Sequence, residues 1–178
     1  MRAGTGLRRA RRWSRRFRGS ERGVTVIEFA MVLPVMIILF IGLVEFSEAF
    51  TISRKLATAA TTVSDLVAQE TSISCADLDK IKLAADEIVK PYGPMNLVIV
   101  SVVADAENNT SVAWSRPAGT ATYTLPETGL TDANSSLIVA EASYNFTPTI
   151  GHFLGTFPIT GRAFFRPRMS SSVTKTGC

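Results

Sequence analysis

The segment Val24 to Val44, VTVIEFAMVLPVMIILFIGLV, runs for twenty-one residues with one charged side chain, Glu28. At about 1.5 Å per residue a helix of this length spans about 31 Å, which matches the roughly 30 Å hydrocarbon core of a bilayer. A hydrophobic content of 46% in a chain of 178 residues agrees with a part destined for lipid. On the N-terminal side stand nine arginines, Arg2, Arg8, Arg9, Arg11, Arg12, Arg15, Arg16, Arg18 and Arg22, against the single acid Glu21. On the other side Arg54 and Lys55 are offset by Glu45 and Glu48. The positive-inside rule then predicts a cytoplasmic N-terminus and an exported C-terminal part.

That charge division removes a second reading. The net charge of +4 would hint at nucleic acid, but residues 1–22 alone carry +8 and the rest of the chain −4. The basic character belongs to a tail, not to a folded binding face, so no nucleic-acid partner is expected. Trp13 and Phe17 within the tail do not change this, because a topology-setting leader explains the arginines.

Beyond Val44 a helical period persists. Phe46, Phe50, Leu56, Ala59, Ala60, Val63 and Val67 recur at three- and four-residue intervals without Pro or Gly, which predicts one helix from Val24 to about Gln69. Residues 70–75, ETSISC, break it. ADLDKIKLAADEIVK follows as a second, amphipathic helix with Leu78, Ile81, Ala85 and Ile88 on one face, ended by Lys90 and the Pro91 to Pro94 segment. The period then changes to two. Leu97 to Val103, Ser111 to Arg116, Leu137 to Phe146 and Ile159 to Arg168 read as strands of a small antiparallel sheet. In the third of these, Ala140, Ala142, Tyr144 and Phe146 face opposite to Val139, Glu141, Ser143 and Asn145, the alternation of a sheet with one face on a helix. The expected fold class is α+β, with no internal repeat. Its parts are a basic leader (1–23), a transmembrane helix (24–44), a helical stalk (45–70) and a head (71–178).

Three features converge at the start of the apolar run: a basic leader ending in Gly23, an apolar helix beginning at Val24, and Glu28 as its fifth residue, followed by Phe29. This pattern resembles a prepilin peptidase site. The longer segment GVTVIEFAMVLPVMIILFIGLVEFSEAF is similar to the N-terminal signature of the TadE-like family, minor pseudopilins of the Tad (Flp-type) pilus machinery. Gly23, Glu28, Phe29, Ala30, Leu33, Pro34, Glu45 and Phe46 fill the positions of that signature. About thirty residues carry the resemblance. TadF-like and TadG-type proteins share part of the anchor, and the chain length argues against the larger TadG type.

The resemblance implies a bacterial inner-membrane protein cut between Gly23 and Val24, with a pilin-like plan and its head in the periplasm. It also implies partners: the prepilin peptidase, a major Flp-type pilin, sibling pseudopilins and the pilus assembly platform proteins. Glu28 would pair with the α-amino group created by cleavage. A carboxylate at mid-bilayer costs about 2.5–3.5 kcal/mol on insertion scales, and less when shallower, so Glu28 calls for a partner or an interfacial position. An acid near a helix N-terminus is also favoured by the helix dipole alone. Pro34 removes one backbone hydrogen bond and either kinks the helix or is tolerated as a transmembrane proline. Glu45 and Glu48 mark the exit into the far headgroup region.

Other signals are weaker. Ser47-Glu48-Ala49 has the form of a signal-peptidase triplet, but the leader it implies is too long and carries acids and Pro34. Ser14-Arg15-Arg16-Phe17 is a poor twin-arginine motif. Asn108 and Asn134 stand in glycosylation sequons that read as turns. With one histidine, His152, no Gly-rich phosphate loop and no nucleophile motif, no enzyme, cofactor or metal site is expected. Asp77, Asp79, Asp86 and Glu87 read as the wet face and first turn of the second helix. In an oxidising compartment Cys75 and Cys178 would be able to pair; two free thiols are the other reading. The alternative to a pseudopilin is an uncleaved single-pass protein presenting a periplasmic binding or adaptor domain.

Overall fold

The computed structural model describes residues 21–118, 125, 129–150 and 155–177. Most of the basic leader, His152 and Cys178 lie outside the described residues. The elements are α1 (Glu21–Ala68), β1 (Ser72–Ser74), α2 (Cys75–Val89), β2 (Asn96–Ala104), β3 (Thr110–Arg116), β4 (Ser136–Phe146), β5 (Phe157–Phe165) and β6 (Thr174–Thr176). The α+β class and the four antiparallel strands are as the sequence predicts. The pair β1–β6 is additional.

The chain divides into two compact units, residues 1–44 and 45–178. In the second unit the sheet order is β3-β2-β4-β5, all antiparallel. One sheet face packs on helices. Ile52, Leu56, Ala59, Ala60, Val63 and Val67 of α1 and Leu78, Ala85 and Val89 of α2 meet Leu97, Ile99, Ile138, Ala140, Ala142 and Phe146 of the sheet. Each large aliphatic side chain fully buried there stabilises the fold by about 1.5–3 kcal/mol relative to exposure. The segment expected as a stalk therefore packs into the head: from Ile52 onward α1 supplies one wall of its core. The opposite sheet face carries a second cluster of Val100, Val102, Leu137 and Val139, covered in part by Leu125 and Leu130. This is why β4 alternates only over its second half.

Close approach of β5 to α1 requires Gly161. A Cβ at that position would lie 2.5 Å from the Ala57 nitrogen and 2.6 Å from the Leu56 carbonyl carbon, both backbone atoms. Two residues on, the Ala163 carbonyl accepts a hydrogen bond from buried Ser64 (3.3 Å). On the exposed side of α1 the hydroxyls of Thr51, Thr58, Thr61 and Thr62 each donate to the carbonyl four residues earlier. Threonines that would compete with helix formation are thereby absorbed into it.

The end of α1 is secured by the C-terminal segment. The Arg168 amide donates to the Ala68 carbonyl (2.9 Å), one of the carbonyls a helix end leaves unpaired, and its guanidinium bonds Asp65 at 2.6 Å. Ser136 donates to the Ser171 carbonyl, and the Trp114 indole to the carbonyl of buried Val173 at 2.7 Å. From Thr174 the chain pairs in parallel with β1, Ser72 opposite Thr174 and Ser74 opposite Thr176.

Helix α2 is capped at both ends by side chains. Ser74 is the N-cap: its Oγ accepts from the Asp77 amide at 3.2 Å and donates to the Asp77 carboxylate at 2.7 Å. At the other end the Lys55 ammonium donates to the Ile88 carbonyl (3.3 Å) and to the Lys90 carbonyl, and lies 5.8 Å from the Tyr92 ring. The Ser74 hydroxyl, then Lys80, hold the Asp77 carboxyl below the usual carboxylate range. A carboxyl depressed by folding contributes stability above its unfolded pKa, and that contribution is lost as pH falls through the lower folded value.

Two outcomes follow. Gly161→Ala should lower the unfolding free energy of the head by about 1–3 kcal/mol or more, the range for overpacking a core, as read by denaturant melts. Asp77→Asn should lower stability at neutral pH, where the contribution of the carboxylate is fully present, and the difference from the unsubstituted protein should shrink as pH falls below about 4, the ordinary Asp range, as followed by denaturant melts across pH.

Candidate membrane anchor and assembly segment

Helix α1 carries every residue singled out for anchoring and assembly. Nothing in its sequence after Gly23 interrupts the apolar run except Glu28 and Pro34, and the helix is assigned continuously through Pro34. The carbonyl of Ala30 is the group that Pro34 leaves without an amide donor. A Cβ at Gly23 would meet nothing within 4 Å. Val24, Glu28 and Phe29 are all exposed on the helix surface. Val24 and Glu28 are four residues apart, one turn, and so occupy the same face.

Glu45, the first residue past the apolar run, is packed within the second unit instead of projecting freely from the helix. It is 8% exposed, and its carboxylate accepts from the Ile150 amide at 2.7 Å and the Thr149 amide at 3.3 Å. A carboxylate that accepts consecutive backbone amides is a charge-assisted clasp, about twice as strong as its neutral equivalent. The helix periodicity explains the burial. Glu45, Ala49, Ile52 and Leu56 are spaced by four, three and four residues and point to the same side, toward the sheet. Its neighbour Phe46 points away. It is 70% exposed and stacks on Phe50, with ring centroids 6.4 Å apart and planes 14° apart, while the Arg54 guanidinium lies 5.8 Å from the Phe50 ring.

The structure thus separates the two members of the Glu45-Phe46 pair by role: the acid holds the β4–β5 connection, and the ring is presented outward. Thr149 and Ile150 were not visible in the sequence as partners of Glu45, because a contact across about a hundred residues made through backbone amides leaves no side-chain signature. Glycine within a strand was the available signal for Gly161. Among the described residues no group of three or more His, Cys, Asp or Glu is placed to hold a metal ion. Cys75, buried at the start of α2, is not a free thiol.

Among the described residues one helix is long and apolar enough to cross a membrane and it leads into an α+β domain, the plan of a single-pass membrane protein. Within that class the N-terminal segment has a specific likeness: residues 23–64 match the family model described as TadE-like protein, the family that the Gly23, Glu28-Phe29 and Glu45-Phe46 pattern resembles. The match starts at Gly23 and ends inside α1. Comparison with curated proteins and with solved structures finds no match.

Glu45→Ala should accelerate hydrogen exchange at the Thr149 and Ile150 amides. It should also cost about 1.5–3 kcal/mol per hydrogen bond lost from a charged acceptor, less whatever water recovers, as measured by exchange mass spectrometry and thermal melts.

Proposed function

We propose that the protein is a minor pseudopilin-like subunit of a Tad (Flp-type) pilus assembly machine. In this reading the prepilin peptidase removes residues 1–23, and the mature chain begins at Val24 in the inner membrane with its head in the periplasm. The observation that carries the proposal is the TadE-like match, which begins on Gly23, the residue before the proposed cut. Glu28 then lies one turn from the new α-amino group. Pairing with it, in the same or a neighbouring subunit, offsets the cost of a carboxylate in the apolar layer. Phe29 and Pro34 complete the pilin-type motif, and Phe46 extends the exposed apolar surface past the span. The role is structural: the subunit packs by its helix with a major pilin and sibling pseudopilins and takes part in pilus biogenesis, adhesion or secretion, with the platform proteins as partners.

An exported head also favours pairing of Cys75 with Cys178. The parallel register sets Thr176 beside Ser74, the residue before Cys75. Such a bridge closes a loop of roughly 100 residues and stabilises the fold by up to about 4.7 kcal/mol on the chain-entropy model.

The intact mass of the protein from membranes of cells with and without the peptidase should correspond to a chain starting at Val24 only when the peptidase is present, and Gly23→Leu should abolish that difference. An unprocessed chain under both conditions would instead make it a single-pass adaptor. Cys178→Ser should lower the melting temperature to that of the reduced wild type; equal stability of the oxidised wild type and the variant would rule out the bridge.

A further inference from the structure

The β4–β5 connection is unlike the rest of the head. From Ala142 to Gly161 the sequence contains no Asp, Glu, Lys or Arg, although 19% of the chain is charged. Its base is closed by the Thr147–Thr156 hydroxyl pair at 2.7 Å and by Phe146 against Phe157, edge to face with centroids 5.4 Å apart. Despite this closure, Ile150 is 58% exposed and Phe157 39% exposed. A turn that projects an aliphatic side chain while carrying no charge is poorly suited to water.

Its location supplies the reason. The Ile150 amide is bonded to Glu45, and Glu45 is the residue after Val44, where the apolar run ends. Phe46 follows about 3 Å farther along the helix rise, and the headgroup layer on each side of the hydrocarbon core is about 5–7 Å thick. The turn is thus fixed to the chain at the depth where a spanning helix leaves the hydrocarbon. At the same depth Phe46 exposes its ring, and Phe50, about 9 Å beyond Val44 by helix rise, stacks on it with the Arg54 guanidinium 5.8 Å from the Phe50 ring.

We propose that Ile150, Phe157 and Phe46 form a second membrane contact, in which the head rests on the lipid surface of the leaflet where α1 exits, with Glu45 as the positioning residue. The occupant of this apolar edge is the bilayer interface. The function of the buried carboxylate is to bring an uncharged turn down to that interface by accepting from its two amides. The opposite end of the sheet provides an internal contrast. There the β2–β3 turn, 105–109, carries Asp105 and Glu107, all exposed, and lies about 33 Å from Phe146 along β4. Asp105 is held below the usual carboxylate range by its hydrogen bonds from Asn109, as expected of a water-facing turn.

The test uses the full chain in phosphatidylethanolamine/phosphatidylglycerol vesicles. Tryptophan is introduced as Ile150→Trp or, as the distal control, Glu107→Trp, and emission is read as the difference from the unsubstituted protein. With lipids brominated near the headgroup end of an acyl chain, the Ile150→Trp signal should be blue-shifted and largely quenched, and should be protected from aqueous acrylamide. The Glu107→Trp signal should show the reverse. Adding Glu45→Ala should release the Ile150→Trp signal from the lipid quencher; quenching that survives this change would overturn the part assigned to Glu45. Equal acrylamide quenching at the two positions would overturn the proposal, as would protection of Ile150→Trp from both quenchers, which would indicate a protein partner such as a second copy. The readout is the same whether or not residues 1–23 have been removed, so it stands apart from peptidase processing.

Discussion

The close contact between β5 and the backbone of α1 at Leu56 and Ala57 sets the geometry on which the head depends. A sheet lies on a helix at side-chain distance in most α+β domains, but here Gly161 brings a strand to the helix backbone itself. Ala163 and Ser64 continue that contact, and the small residues Ala59 and Ala60 keep it close. Once β5 is fixed there, β4, β2 and β3 follow by antiparallel pairing, and α2 fills the remaining width of the same face. The helix whose first part is long and apolar enough to cross a membrane is therefore also, from Ile52 onward, the surface on which the α+β domain is assembled.

The C-terminal segment completes this arrangement. Arg168 reaches both the Ala68 carbonyl and the Asp65 carboxylate, so the end of α1 and the end of the sheet are joined by backbone and side chain together. Trp114, on the edge strand β3, bonds the Val173 carbonyl, and Ser136, on central β4, bonds that of Ser171. The segment thus ties α1, two strands of the sheet and β1 together with few residues of its own in regular structure. The β1–β6 pair, three residues on each side, is stable only because both strands are held at their ends by these contacts.

Most of the element boundaries were legible because the hydrophobic period changes sharply, from 3.6 through Val89 to 2 from Leu97 onward. The apolar run was legible because lipid selects composition directly. What was not legible depended on contacts between distant parts. Residues 45–70 read as a stalk because an amphipathic helix shows which face is apolar but not what covers it. The parallel pair β1–β6 is too short to produce a period, and ETSISC has the composition of a loop. Leu137 and Val139 break the expected alternation of β4 since a second layer, with Leu125 and Leu130, covers the other face. For Glu45 the sequence indicated only the exit into the headgroup region and not its contact with the β4–β5 connection, because its partners are main-chain amides, which any sequence would supply.

The exposed threonines of α1 have a consequence for how this helix tolerates its surroundings. Because Thr51, Thr58, Thr61 and Thr62 donate to carbonyls within the helix, what they turn outward is chiefly methyl groups, with hydroxyl hydrogens already engaged. Removing such a face from water breaks fewer hydrogen bonds than its Thr content indicates, since most of the desolvation penalty of a hydroxyl arises when it is left unpaired. The surface is polar by composition and nearly apolar by chemistry, able to remain dissolved when bare and to dry at small cost when covered.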